Sequence, residues 1–128
     1  MASQAKVEDI ERRIAVCRQY AHLWEEFFKH FGTGDLQAFQ ARKILDQDEA
    51  RFATIVTELA KQAFSFNYFM GDKFGEGEKL LDILERAESL KTIQQMAEAN
   101  YSKLEVDWHQ VFIAMHRAVG RLTRELPP

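Results

Sequence analysis

The positions of glycine and proline constrain the fold of this chain more than any other feature. Five of the six glycines lie in two short clusters, at 32–34 and 71–77, and the two prolines are residues 127 and 128. Glycine and proline are the strongest local breakers of regular structure. The 128 residues therefore divide into three long segments. Gly120 lies inside the third segment, where a single glycine weakens a helix without ending it.

Apolar residues in all three segments recur at alternating spacings of three and four, which is typical of a helix face in a bundle. The first set is Val7, Ile10, Ile14, Cys17, Ala21, Trp24, Phe28 and Phe31. The second set starts at Phe52, and the third continues in one register from Leu80 to Leu122. We therefore predict an all-α fold, an antiparallel bundle of three long helices with coiled-coil-like packing. The helices lie at about 4–31, 35–70 and 76–126, in a single domain spanning 1–128.

Two points in this scheme stay open. The acidic sequence DQDE at 46–49 marks either a kink or the start of a new helix, because the residues before it follow a different register. The sequence SKLE at 102–105 has the form of a capping box, which predicts a bend near Ser102 and a four-helix bundle. We favour one unbroken third helix, since a loop there would shift the register.

An unbroken third helix is too long for its neighbours. At 1.5 Å per residue it spans about 75 Å, against about 42 Å for the first helix. The part of its apolar seam that extends beyond the first two helices must then be covered by something other than this chain. This predicts a homo-oligomer, with a dimer favoured.

Aromatic residues are concentrated where the second segment ends. Four of the ten Phe and one of the three Tyr lie between residues 64 and 74. Phe66 continues the apolar seam, Phe64, Tyr68 and Phe69 point in other directions around the helix, and Phe74 lies in the loop that follows. Such rings are either core or the centre of a partner interface, where aromatic residues are enriched. The anchors that we predict for a protein partner are Phe64, Tyr68, Phe69, Phe74, Trp108 and Phe112.

Charge and composition exclude several classes of protein. A net charge of −3 provides no field that would hold the chain on nucleic acid. One cysteine, Cys17, permits no internal disulfide and no multi-cysteine zinc site, and its place on the seam predicts burial. The N-terminal sequence lacks the features of a signal peptide, and no apolar run is long enough to span a membrane. We expect a cytoplasmic protein; peripheral membrane binding is a weak alternative.

The pattern of polar residues does not indicate an enzyme. The sequence has no phosphate-binding loop, no dinucleotide fingerprint and no arrangement typical of a nucleophile with its base, so we expect no cofactor. A metal- or ligand-binding bundle is the main alternative function, with His22, Glu26, His30, His109 and His116 as candidate ligands. Their positions off the apolar seam argue against it. The sequence thus favours a non-enzymatic interaction or assembly module, and its general shape alone resembles adaptor and chaperone-like bundles.

Overall fold

The computed structural model describes residues 3–128, and within that range it contains six α-helices and no β-strand. The helices are α1 Gln4–Lys29, α2 Leu36–Gln40, α3 Asp46–Met70, α4 Gly77–Arg86, α5 Leu90–Gln94 and α6 Glu98–Arg124. A 3-10 turn at Gly71–Lys73 links α3 to α4. The predicted all-α bundle is confirmed, and its three long helices are α1, α3 and α6.

The four longest helices pack side by side around one core. α1 contacts both α3 and α6, and α4 contacts the same two helices. α1 runs antiparallel to α6, because Cys17 near its middle meets Met115 while Phe31 beyond its end meets Tyr101. α1 is also antiparallel to α3, with Arg13 at Phe69 and Phe27 at Phe52.

Two tryptophans join α1 to α6 at the centre of the bundle. The indole N–H of Trp24 donates to the carbonyl of Trp108 at 3.3 Å, and Trp108 donates back to the carbonyl of Trp24 at 3.1 Å. Their rings are parallel, with centroids 6.0 Å apart. Cys17 lies on the same seam and is fully buried, as predicted, and burial raises the pKa of its thiol to about 11. It is a protonated core residue.

The second segment contains two helices and not one. The short α2 begins after Asp35, whose carboxylate accepts a hydrogen bond from the backbone N–H of Gln37. After a break at 41–45, the Asp48 carboxylate accepts from the Leu45 N–H at 2.9 Å and caps the start of α3. The acidic sequence at 46–49 is therefore a new helix start, and the prediction of one helix over 35–70 is corrected.

The prediction of one unbroken helix over 76–126 is wrong. The chain leaves helical conformation after Arg86 and again after Gln94, so α4, α5 and α6 replace the single rod. Ser102 lies inside α6, and the helix continues through it. The chain does fold back to form a fourth bundle helix, but it turns at 87–97 and not near Ser102.

Contacts from distant residues hold this turn. The carboxylate of Glu49, on α3, accepts hydrogen bonds from the backbone N–H groups of Leu90 and Lys91 at the start of α5. The side-chain amide of Gln94 donates to the carbonyls of Phe39 and Arg42. Ala87, Leu90 and Ile93 stay fully buried through the turn, which explains why the apolar register does not reveal it.

The corrected fold removes the reason for which a partner chain was predicted. α6 buries its seam against α1 and α4, and Tyr101, Leu104 and Leu122 are each 1% exposed or less. The apolar seam of α6 is thus buried by helices of the same chain. None of the helices between residues 3 and 128 combines the length and hydropathy that a membrane span requires. The seam of α6 therefore offers no surface for self-association.

Candidate protein-interaction surface

The helix α3 carries two stripes of residues on opposite faces. Its inner face packs into the core and consists of Phe52, Leu59, Ala63, Phe66 and Met70, none more than 1% exposed. Its opposite side, here called the outer face of α3, is exposed along its whole length and consists of Ala50, Ala53, Thr57, Ala60, Phe64 and Tyr68. Both stripes follow the three-or-four spacing of a helix face. Only their environment distinguishes them.

Two aromatic rings lie in solvent on the outer face. Phe64 is 83% exposed and Tyr68 is 80% exposed, and no other large hydrophobic residue between positions 3 and 128 is more than 53% exposed. Because they are four residues apart, the two side chains are neighbours on the helix surface. Exposed aromatic groups placed together are more typical of a binding site than of a surface that stays in water.

The outer face is also uncharged. None of its six residues is ionisable under ordinary conditions, and together they span about 27 Å of helix. Glu58 and Lys61 lie to one side of the stripe, and their side chains pair with each other at 3.8 Å. These six residues therefore form a neutral stripe, with small residues at one end and aromatic rings at the other, and Lys61 borders it, three residues before Phe64.

Of the other predicted anchors, two are half-buried. Phe69 follows Tyr68, with ring centroids 6.3 Å apart, and packs partly against the core. Its carbonyl accepts a 2.6 Å hydrogen bond from Nε of Arg13, which ties this end of α3 to α1. Phe112 is stacked on Trp108 at 5.0 Å on α6. Phe69 adjoins the outer face of α3, whereas Phe112 packs along α6 against Trp108 and His116.

The remaining two predicted anchors lie in the core. Phe74 is 5% exposed and meets Phe66 edge-on at 5.1 Å. Trp108 is 3% exposed and is held by its hydrogen bond to Trp24. The structure thus does not bring the six predicted residues together on one surface. Phe64 and Tyr68 are the two that are accessible.

The small residues of the outer face were not identified as a site from the sequence. Ala53, Thr57 and Ala60 continue the spacing of Phe64 toward the start of α3. In the sequence these residues are visible only as a second series at helical spacing, which is uncharged but weakly apolar. Alanine and threonine are common on any solvated helix, so this stripe stands out only once the other face of α3 is known to be buried.

The candidate metal ligands are scattered. His109 and His116 each pack edge-on against an aromatic ring, at 5.1 Å from Phe28 and 4.4 Å from Phe112. His22 approaches Glu26 at 4.0 Å near the protein surface, and burial lowers the pKa of His30. In the part of the chain that the structure describes, no three or more His, Cys, Asp or Glu side chains converge as a metal site would require.

A shallow cleft of about 750 Å³ lies between the end of α3, the glycine loop, α4 and α6. Several of its charged residues are already paired, and Asp107 accepts hydrogen bonds from Arg86 at 2.7 Å and from Lys103 at 2.8 Å. Lys79 donates to the side chain of Gln110. Gly77 leaves room for Asn67, because a Cβ there would lie 2.9 Å from Asn67 Cγ. These contacts hold α4 in place.

Comparison with known proteins gives no independent indication of the function. No family model matches the chain, and neither a curated protein nor a solved structure matches it. The functional argument consequently depends on the surface of this molecule alone. Its most unusual element is the neutral, partly aromatic outer face of α3.

Proposed function

We propose that this protein is a non-enzymatic protein–protein interaction or assembly module, and that the outer face of α3 is its docking surface. The observation that carries the proposal is the exposure of Phe64 and Tyr68, at 83% and 80%. Every other aromatic residue of the bundle is buried or half-buried. The two exposed rings stand on a long helix whose opposite face is fixed in the core.

The energetics favour a partner at this surface. A Phe or Tyr that is fully buried removes 150–250 Å² from water, so these two rings together offer about 300 Å². At about 25 cal/mol per Å², that area corresponds to roughly 7 kcal/mol of transfer free energy before the entropy of association is subtracted. Tyr is among the residues that most often dominate binding energy in interfaces, and Phe is enriched in interface cores.

The rigidity of the surrounding structure also supports this role. α3 is anchored to α1 by the hydrogen bonds from Arg13 to Phe69 and from Tyr20 to Leu59. It is anchored to the start of α5 through Glu49. A docking surface on a fixed helix loses little conformational entropy on binding, because the backbone is already ordered.

A site-specific photo-crosslinker tests the proposal. We expect para-benzoyl-phenylalanine in place of Tyr68 to form a discrete protein adduct in cells, and the same probe in place of Gln19, exposed on α1, to form none. Adding Phe64→Glu should abolish the Tyr68 adduct by placing a charge on the neutral face. The matched change Gln62→Glu, on the same helix but off that face, should leave it intact.

Two outcomes contradict the proposal. One is the absence of an adduct at Tyr68 when the probe is incorporated and the chain is folded, as judged by circular dichroism. The other is an adduct that forms equally from the Gln19 position, or that survives Phe64→Glu. Either result would show that the exposed rings engage no protein specifically.

A further inference from the structure

The outer face of α3 has two halves of different size. Ala50, Ala53, Thr57 and Ala60 form a small half toward the start of the helix, and Phe64 and Tyr68 form a large half toward its end. A partner that covers the whole face must be bulky opposite the small half and small opposite the rings. A second copy of the same helix, turned end for end, has this shape.

An antiparallel pairing about a two-fold axis near residues 60 and 61 matches the two halves. It places Phe64 of one copy opposite Thr57 of the other, and Tyr68 opposite Ala53. A two-fold interface is self-complementary in this sense, since each half of the surface receives the other half. A parallel pairing would oppose rings with rings and alanines with alanines, which forces the helices apart at one end.

Charge is compatible with the antiparallel arrangement. Lys61 and Glu58 lie beside the axis and already pair within one chain at 3.8 Å. The axis brings the Lys61–Glu58 pairs of the two copies alongside each other. Each lysine then lies within reach of a glutamate from either chain, so that the four charges sum to zero. The six residues of the stripe carry no charge, and the Lys61 at its edge keeps Glu58 as its partner, so no unpaired charge is buried.

The surface area that two copies can bury between them limits the affinity of the dimer. The two rings offer about 300 Å² per chain, and a stable interface needs about 800 Å² per partner. The four small residues and the sides of α3 must supply the rest, so the interface lies at the small end of the stable range. This predicts a dimer that forms reversibly, with a dissociation constant on the order of micromolar.

We infer that the partner of the outer face of α3 is a second copy of this chain, docked antiparallel through its own α3. The inference rests on the proposed function and specifies it, because it names the protein that the exposed rings bind. It does not use the long third helix from which a dimer was first predicted, since that helix is absent from the structure.

Single engineered cysteines test the geometry, because the native Cys17 is fully buried. In an antiparallel pair, Ala60→Cys lies next to its counterpart near the axis and should form an intermolecular disulfide under mild oxidation. Ala53→Cys lies far from its counterpart and should not. Gln19→Cys, on α1, controls for random collision. A disulfide from Ala53→Cys as rapid as that from Ala60→Cys would overturn the antiparallel arrangement.

Sedimentation equilibrium of the unmodified chain tests the dimer itself. We expect the mass to rise with concentration from 14.9 kDa toward twice that value. Phe64→Glu should weaken the association about 100-fold or more, because a two-fold interface loses the contact twice, and Gln19→Glu, exposed on α1, should not change it. Circular dichroism should show the same helix content in both variants, which separates lost pairing from lost folding.

The two experiments together distinguish this inference from the proposed function. A chain that stays monomeric at the highest soluble concentration, yet gives a Tyr68 adduct with a different protein, overturns self-pairing and leaves the interaction surface intact. A monomeric chain without any specific adduct overturns both. An adduct at Tyr68 with the mass of two copies, lost on Phe64→Glu, supports both.

Discussion

The inner and outer faces of α3 have similar spacing and opposite environments. Phe66 and Phe64 are two residues apart, yet Phe66 is 1% exposed and Phe64 is 83% exposed. Phe66 stacks on Tyr20 with ring centroids 4.2 Å apart and meets Phe74 edge-on. Phe64 has no such partner within the described part of its own chain. Residue type therefore does not decide which rings hold the monomer together; the position of each ring relative to the core does.

The largest effect expected from this comparison is on the inner face. Phe66→Ala removes a ring from the centre of the packing between α1, α3 and the glycine loop. We expect it to lower the free energy of unfolding by about 4 kcal/mol, as deletion of a buried Phe leaves a cavity and loses its transfer free energy. Urea denaturation followed by circular dichroism gives this value.

Phe64→Ala is the matched control, since it makes the same change on the same helix. At a concentration low enough for the chain to be monomeric, we expect it to alter the free energy of unfolding by less than about 0.5 kcal/mol. Alanine also has the higher helix propensity, which offsets part of any loss. Equal losses from the two variants would mean that Phe64 is buried in the monomer.

The next largest loss of stability is expected from a change to a buried charged side chain. Asp107 has an 8% exposed side chain and joins α6 to α4 by accepting from Arg86, and it also accepts from Lys103 on its own helix. Asp107→Asn leaves the partly buried guanidinium of Arg86 without this carboxylate. We expect a loss of about 3 kcal/mol at pH 7 by urea denaturation.

Acid should reduce this difference between the wild-type protein and Asp107→Asn. Burial alone would raise the pKa of Asp107, but the hydrogen bonds from Lys103 and Arg86 outweigh it and hold the pKa below its usual value of 3.8. A carboxyl group with a depressed pKa stabilises the fold above its unfolded-state pKa, and the effect is lost as pH falls through the folded-state pKa. The loss measured for Asp107→Asn should therefore shrink below about pH 4.

Asp82 provides the control for Asp107, because it also pairs with Arg86, at 2.9 Å, but has a 60% exposed side chain. Asp82→Asn should lower the free energy of unfolding by less than about 0.5 kcal/mol, as is usual for an exposed ion pair. If Asp82→Asn were as harmful as Asp107→Asn, burial would not be the factor that gives the Asp107 contact its strength.

The smallest expected loss of stability comes from deleting one buried hydroxyl group. Tyr20 is 2% exposed and donates to the carbonyl of Leu59 at 2.7 Å, and burial raises its pKa, so the group keeps its proton. Tyr20→Phe should lower the free energy of unfolding by about 1 kcal/mol. Thermal unfolding monitored by circular dichroism measures this as a lower Tm.

Tyr68→Phe deletes the same group from a ring that is 80% exposed. For the monomeric chain we expect no measurable change in Tm, because water satisfies the hydroxyl in both the folded and the unfolded state. A clear loss for Tyr68→Phe would place that hydroxyl in a contact within the chain and would weaken the case for a free docking surface.

The single helices predicted over 35–70 and 76–126 fail at breaks of two kinds. The prediction rested on the scarcity of internal glycine and proline, with only Gly77 and Gly120 inside these ranges, and, in the third segment, on an unbroken apolar register. The break before α3 does have a local signal, since Asp48 caps the helix from three residues away.

The chain nevertheless turns at 87–97, where Glu49 caps Leu90 and Gln94 binds the carbonyl of Phe39. Ser89 does supply a local cap for α5, because its hydroxyl accepts from the Thr92 N–H. The contacts of Glu49 and Gln94 join residues more than 40 positions apart, and these leave no local signal.

The candidate site was predictable only in part. The concentration of aromatic residues at 64–74 indicated where to look, and Phe64 and Tyr68 were among the predicted anchors. Phe74 and Trp108 were predicted with them but are buried. A ring in the core and a ring in an interface have the same composition and spacing, so periodicity does not separate them.

The sequence by itself determined that the chain is all-α, that its helices fall in three segments separated by glycine clusters, and which residues share each helix face. These follow from local breakers and from the 3.6-residue period, which act within a few turns. Only the tertiary structure decided where the third segment turns and which face of α3 is left open to water. Those outcomes depend on which helices meet, and hence on contacts between residues that are distant in the chain.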